Sequence, residues 1–89
     1  MRAVITVVGY DAVGIIAKVS GVLFRNGINI LDISQSVLQD LFAMVMLADI
    51  SRSEADFNGL RAQLDEVGEE MGVKIHAMHE DIFNSMHRI

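Results

Sequence analysis

The chain is 89 residues long, 52% hydrophobic and 21% charged, with a formal net charge of -5 and no cysteine. That much apolar material excludes disorder and supports a single domain over residues 1–89 with a core of its own. The missing thiols remove thiolate catalysis, disulfides and Cys-based zinc or iron–sulfur centres, the acidic balance argues against a nucleic-acid partner, and no apolar run approaches the ~18 residues that a membrane span requires.

Met1-Arg2-Ala3-Val4 passes straight into apolar sequence without the small-residue cleavage site of a secretory signal, so the expected location is cytoplasmic. Ala3 to Val8 is short, rich in β-branched residues and stopped by Gly9, which predicts a buried strand. From Gly14 the period changes. Ile15, Val19, Val22 and Leu23 fall at i, i+4, i+7 and i+8, the stripe of an amphipathic helix, and Asn26-Gly27 is its C-terminal stop.

Ile28 to Leu38 predicts a second strand, Gln39-Asp40 a tight turn, and Leu41 to Ile50 a third strand, so this pair forms a hairpin. Ser53 is the expected N-cap of a second helix with acidic residues in its first turn. Phe57, Leu60, Leu64, Val67 and Met71 continue at helical spacing, and Gly72 ends the run. Val73 to Glu80 predicts a fourth strand, followed by a short tail with room for a helical turn. The order βαββαβ gives an α+β, ferredoxin-like fold: a four-stranded antiparallel sheet with two helices on one face.

With both helices on one side, the strands should alternate apolar and polar. The third strand does not, because Leu41, Ala43, Val45 and Leu47 point one way and Phe42, Met44, Met46 and Ala48 the other. A bare apolar face is seldom left in water, and a second copy of the chain is its usual cover, which predicts a homodimer or higher oligomer.

A first strand ending in Gly9-Tyr10-Asp11-Ala12-Val13-Gly14-Ile15-Ile16, and a helix closed by Asn26-Gly27-Ile28-Asn29-Ile30, resembles the ACT domain, the small regulatory module that binds amino acids. The resemblance covers essentially the whole chain and is nearest to the stand-alone bacterial and archaeal ACT-domain proteins. Val13 stands where that family commonly has proline. The resemblance implies a ligand pocket at a dimer interface, built from the loop after the first strand (Gly9, Tyr10, Asp11, Ala12, Val13 and Gly14) and from Asn29 at the start of the second. The chemistry is consistent with this. Backbone N–H groups at a helix start favour a carboxylate, and an acidic or amide side chain can take an α-ammonium. Asp11 is equally placed to cap the first helix, and Asn29 to satisfy a local backbone group.

Other chemistries find no support. His76 and His79, three apart in a strand, project to opposite faces and cannot readily share a metal. Gly21-Val22-Leu23-Phe24-Arg25 has a superficial likeness to the acylphosphatase phosphate loop, but Arg25 falls at the helix's end instead of in the turn before it. Ser34 and Ser36 have no histidine placed as a base. No cofactor and no catalytic set is expected. The reading is therefore a non-catalytic, regulatory, amino-acid-binding dimer, and the alternative is a ligand-free interaction module of the same fold.

Overall fold

The structure is a computed structural model and describes residues 1–10 and 14–86. Its elements are β1 (Arg2–Gly9), α1 (Ile15–Arg25), β2 (Asn29–Leu38), β3 (Leu41–Asp49), α2 (Phe57–Met71), β4 (Lys74–His79) and α3 (Glu80–Met86). The strands form one sheet in the order β2-β3-β1-β4, every neighbouring pair antiparallel. β1 and β2 are each antiparallel to β3 and so run parallel to one another, as a strand–helix–strand crossover requires.

Alternation on the central strands decides what the helices cover. Ile5 and Val7 of β1, Met44, Met46 and Ala48 of β3, and Ile75 of β4 face the helix layer and are buried. There they meet Ile15, Val19, Val22 and Leu23 of α1 and Leu60, Leu64 and Val67 of α2 in one cluster. Burying each of these larger side chains contributes about 1.5–3 kcal/mol. Substituting Leu23 or Leu60, both fully buried, by Ala would open the core directly.

The expected helix stripes are thus observed, but one cap differs. Asp56 caps α2, its side chain accepting from Gly59 N–H at 2.7 Å. Ser53 instead donates its hydroxyl to the Ala55 carbonyl at 2.7 Å. The helix begins at the apolar Phe57, so the residue directly before it holds the capping geometry. α2 stops at Gly72 in the left-handed region (φ 69°), and Val73 N–H donates back to the Gly68 carbonyl at 2.9 Å. β4 ends at His79, one residue early, because Glu80 opens α3 and pairs with Arg2 of β1 at 2.8 Å.

At the far end of α1, Asn26 is buried. Its amide donates to the Val22 carbonyl and to Gln63 Oε1, each at 2.8 Å, and its own carbonyl accepts from Glu54 N–H at 2.9 Å. The side chain thereby ties the end of α1 to α2, and the backbone carbonyl ties it to the segment leading into α2.

The open face of the sheet is more mixed than β3 alone suggests. Val45 and the half-buried Leu41, Ala43 and Leu47 lie there, as their alternation predicts. Register then places Thr6 and Ser34 beside Val45, Asp32 beside Leu47, and Ser36 beside Ala43. α3 packs against β1 and β4 and against no other element, and Val4 on the open face of β1 is buried. A strip of apolar side chains remains, bounded by polar β2 residues on one side and by Lys74 and His76 on the other.

Candidate functional site

Gly9 closes β1 opposite Phe42 and is buried. Packing sets its identity, since a Cβ there would stand 2.4 Å from Val73 Cγ1 and 2.9 Å from Val73 Cβ. Glycine lets the end of β1 lie against the entry to β4, and that contact fixes where the loop leaves the sheet. Tyr10 follows, 76% exposed. Asp11, Ala12 and Val13, the middle of the expected site, lie outside the described residues.

The loop ends at Gly14, the N-cap of α1, with φ 80°. This left-handed backbone suits glycine. Gly14 has no side chain with which to cap, and the first turn of α1 carries no acidic residue. The opening amides of α1 therefore meet no capping carboxylate from Gly14 or from that turn, which leaves the start of α1 favourable to an anion. The first intrahelical bond is Lys18 N–H to the Gly14 carbonyl, 3.0 Å.

Two clefts flank this corner. One, of about 440 Å³, runs between α1 and α2 from Gly14 past Ala17 and Gly21, with Lys18 Nζ bonded across it to Glu70 Oε1 at 2.9 Å. The other, of about 870 Å³, starts at Val8, Gly9 and Tyr10 and continues between α2 and β4, lined by Arg61, Asp65 and Lys74. Arg61 and Asp65 did not stand out in the sequence. Their separation of four on a helix, on the flank away from α1, is the signal that would have found them.

Asn29 stands elsewhere. It pairs with Asp49, which pairs with Arg2, whereas Gly9 pairs with Phe42. Seven residue steps of β1 therefore separate the two levels, roughly 23 Å at strand rise. The chain brings Gly9, Tyr10 and Gly14 to one end of the sheet and puts Asn29 at the other.

The histidines are on opposite faces, as their spacing predicts. His79 stacks on Phe57 of α2, with ring centroids 4.2 Å apart, and His76 pairs with Thr6 on the open side. Among the described residues no three His, Asp or Glu side chains gather where they could hold a metal ion. Asp49 is the one described carboxylate with a resolved shift. The Ser51 hydroxyl and then the Ser51 backbone N–H, which donates at 2.9 Å, hold it below its ordinary value of 3.8.

A βαββαβ sheet with both crossover helices on one face, and a glycine-bounded loop leading into a first helix whose N-cap residue is a glycine, defines a small regulatory domain of the ACT class. Residues 2–78 match the ACT domain, and the chain belongs to that family. A UPF0237 protein from Methanocaldococcus jannaschii is 52% identical over 88 residues, covering 99% of this chain and 98% of that one. An ACT domain protein from Streptococcus pneumoniae superposes with a TM-score of 0.80 at 43% identity, covering 93% of each chain. The regulatory subunit of aspartate kinase from Thermus thermophilus matches with a TM-score of 0.65 at 25% identity, over 86% of this chain and half of that one. Family membership supports a regulatory, ligand-binding role in general, and none of these matches indicates a catalytic family. No described helix is long and apolar enough to cross a membrane.

Proposed function

We propose that this protein is a non-catalytic regulatory module that binds a free amino acid in the cytoplasm as a homodimer or higher oligomer. The observation that carries the reading is the corner at Gly14, where a left-handed glycine with no side chain of its own to cap opens α1 in an ACT fold. The ligand's carboxylate meets the backbone amides at the start of α1. Asp11 takes its ammonium group, and Tyr10, Ala12 and Val13 border it. Gly9 serves the site by letting β1 end tight against Val73.

Asn29 joins this site only from another copy, since its own chain holds it at the opposite end of the sheet. The reading thus makes ligand binding and assembly interdependent. A ligand that binds only the folded state raises apparent stability by mass action, about 2.7 kcal/mol at a hundredfold excess over its dissociation constant. Thermal denaturation against each of the twenty amino acids should show one or a few that raise Tm, with Asp11→Ala losing the shift and keeping the fold. If no amino acid at millimolar concentration moves Tm, the ligand-free interaction module is the better reading. A full shift retained by Asp11→Ala would take Asp11 out of the site.

A further inference from the structure

β4 closes the sheet on the side away from β2. It pairs with β1 and with no other strand, so alternate residues along it hold N–H and C=O groups that no ladder takes up. The cleft of about 870 Å³ follows this edge and is lined from both sides of it. On the helix side stand Arg61, Asp65, Gly68 and Glu69, the flank of α2 turned away from the α1 groove. On the open side stand Lys74 and His76, which register sets beside Val8 and Thr6. Gly68 holds α2 close over the strand, since a Cβ there would lie 2.9 Å from the Val73 carbonyl oxygen. At exposed Gly72 a Cβ would meet nothing within 4 Å, so the mouth of the cleft is clear.

The two sides of the cleft differ in charge. β1 and β4 contain no Asp or Glu, so Lys74 meets no carboxylate on either strand, in a chain whose net charge is -5. Asp65 and Glu69 make the helix side acidic. Arg61, four residues before Asp65, lies over the Phe57 ring instead. Among the described residues none of these five exposed side chains enters an ion pair or a side-chain hydrogen bond. We propose that β4 takes an extended segment of another protein as a fifth strand, with carboxylates at two alternate positions and Lys or Arg between them. Successive residues of a strand point to opposite faces. A segment laid along β4 therefore sends its carboxylates to the open side, beside Lys74 and a ring N–H of His76, and its cation under α2, beside Asp65 and Glu69. Backbone pairing supplies affinity and the alternating side chains supply selectivity. The same charges turn away other strands, since like charges opposed across a ladder destabilise it. A second copy of β4 is a poor occupant, because Lys-Ile-His-Ala-Met-His holds no carboxylate to meet Lys74.

This partner site lies at the sheet edge opposite β2 and stands independently of the amino-acid reading. The probe is a capped, fluorescein-labelled heptapeptide, Val-Thr-Glu-Lys-Glu-Thr-Val, titrated with the full chain and followed by anisotropy. Its control is the charge-reversed Val-Thr-Lys-Glu-Lys-Thr-Val. The net charge of -5 attracts the reversed peptide, so a preference for the first reads the cleft and not the bulk field. The first peptide should bind about tenfold more tightly, and Lys74→Glu, an exposed position, should abolish that preference with unchanged circular dichroism. N-methylation of the central Lys or of the Glu after it, one at a time, should abolish binding in one case only, because alternate amides of an added strand face β4. Hydrogen exchange should show new protection of alternate amides over residues 74–79. The proposal is overturned if the reversed peptide binds as well or better, if both N-methylated peptides bind, or if protection appears on β2 or α1 instead. It is also overturned if the β4 edge becomes protected without peptide as chain concentration rises, which assigns the edge to a second copy. Peptide binding at β4 with no amino-acid-dependent Tm shift would uphold the edge site and sink the ligand reading.

Discussion

Replacing Gly9 by alanine adds one methyl group at the corner where β1, β4 and the loop meet. That Cβ would sit 2.4 Å from Val73 Cγ1, 2.9 Å from Val73 Cβ and 3.4 Å from Val73 Cα. The first two separations are far inside van der Waals contact, and the obstacle is a short β-branched side chain attached to buried backbone, with little freedom to turn away. Overpacking of this kind typically costs about 1–3 kcal/mol, which for a domain of this size lowers Tm by roughly 4–8 °C per kcal/mol. The assay is urea denaturation followed by circular dichroism, with Val73→Ala and the double variant completing a cycle. Val73→Ala removes the 2.4 Å neighbour, so the double variant should recover about 0.5–2 kcal/mol relative to the sum of the single changes. Additive losses would refute the packing account of Gly9, and an unchanged midpoint for Gly9→Ala would refute the close approach itself.

Gly14→Ala should destabilise by roughly 1 kcal/mol because of its positive φ, and Gly14→Asn by less, since asparagine tolerates that region better; equal losses, read by the same denaturation, would show that the strain lies elsewhere. Asp56→Ala should cost about 1 kcal/mol through loss of the α2 cap and Ser53→Ala less, an order that reverses if Ser53 is the true cap. Asp49, depressed by Ser51, stabilises the fold above its unfolded-state pKa, and this is lost as pH falls through the lower folded value. Ser51→Ala should move the Asp49 carboxyl titration, followed by carbon NMR, up towards 3.8; a carboxyl that titrates unchanged in that variant contradicts the assigned cause.

Element order and the buried stripes of both main helices were legible because period alone carries them: Ile15, Val19, Val22 and Leu23 can share a face only on a helix, and Met44 and Met46 only on a strand. The hairpin was legible from Gln39-Asp40, where Gln39 takes φ 54°. The cap of α2 was not, since Ser53 and Asp56 are both good capping residues and only the start of the helix chooses between them. The tail after the fourth strand was read as room for a helical turn, where α3 forms, but the Arg2–Glu80 pair that anchors it joins residues 78 positions apart and no local pattern announces it. The distance between Asn29 and the loop was available in principle. A strand–helix–strand crossover makes β1 and β2 parallel, so the start of one lies far from the end of the other. Motif matching groups such residues by role, whereas topology separates them by the length of a strand.

Asn26 gives the first helix a mechanical character. Its buried amide and carbonyl fasten the C-terminal end of α1 to Val22, Gln63 and Glu54, while the N-terminal end enters from a glycine with no side chain to hold it. A ligand at the Gly14 end would act on a helix held firmly at the other. If a ligand binds at Gly14 as proposed, displacement of α1 is expected to be larger near Ile16 than near Phe24, opposed by buried Ile15 and the Lys18–Glu70 pair. Hydrogen exchange should register this as amides near residue 16 that respond to a ligand beside amides near residue 25 that do not, so the clamp sets the direction in which any signal leaves the molecule.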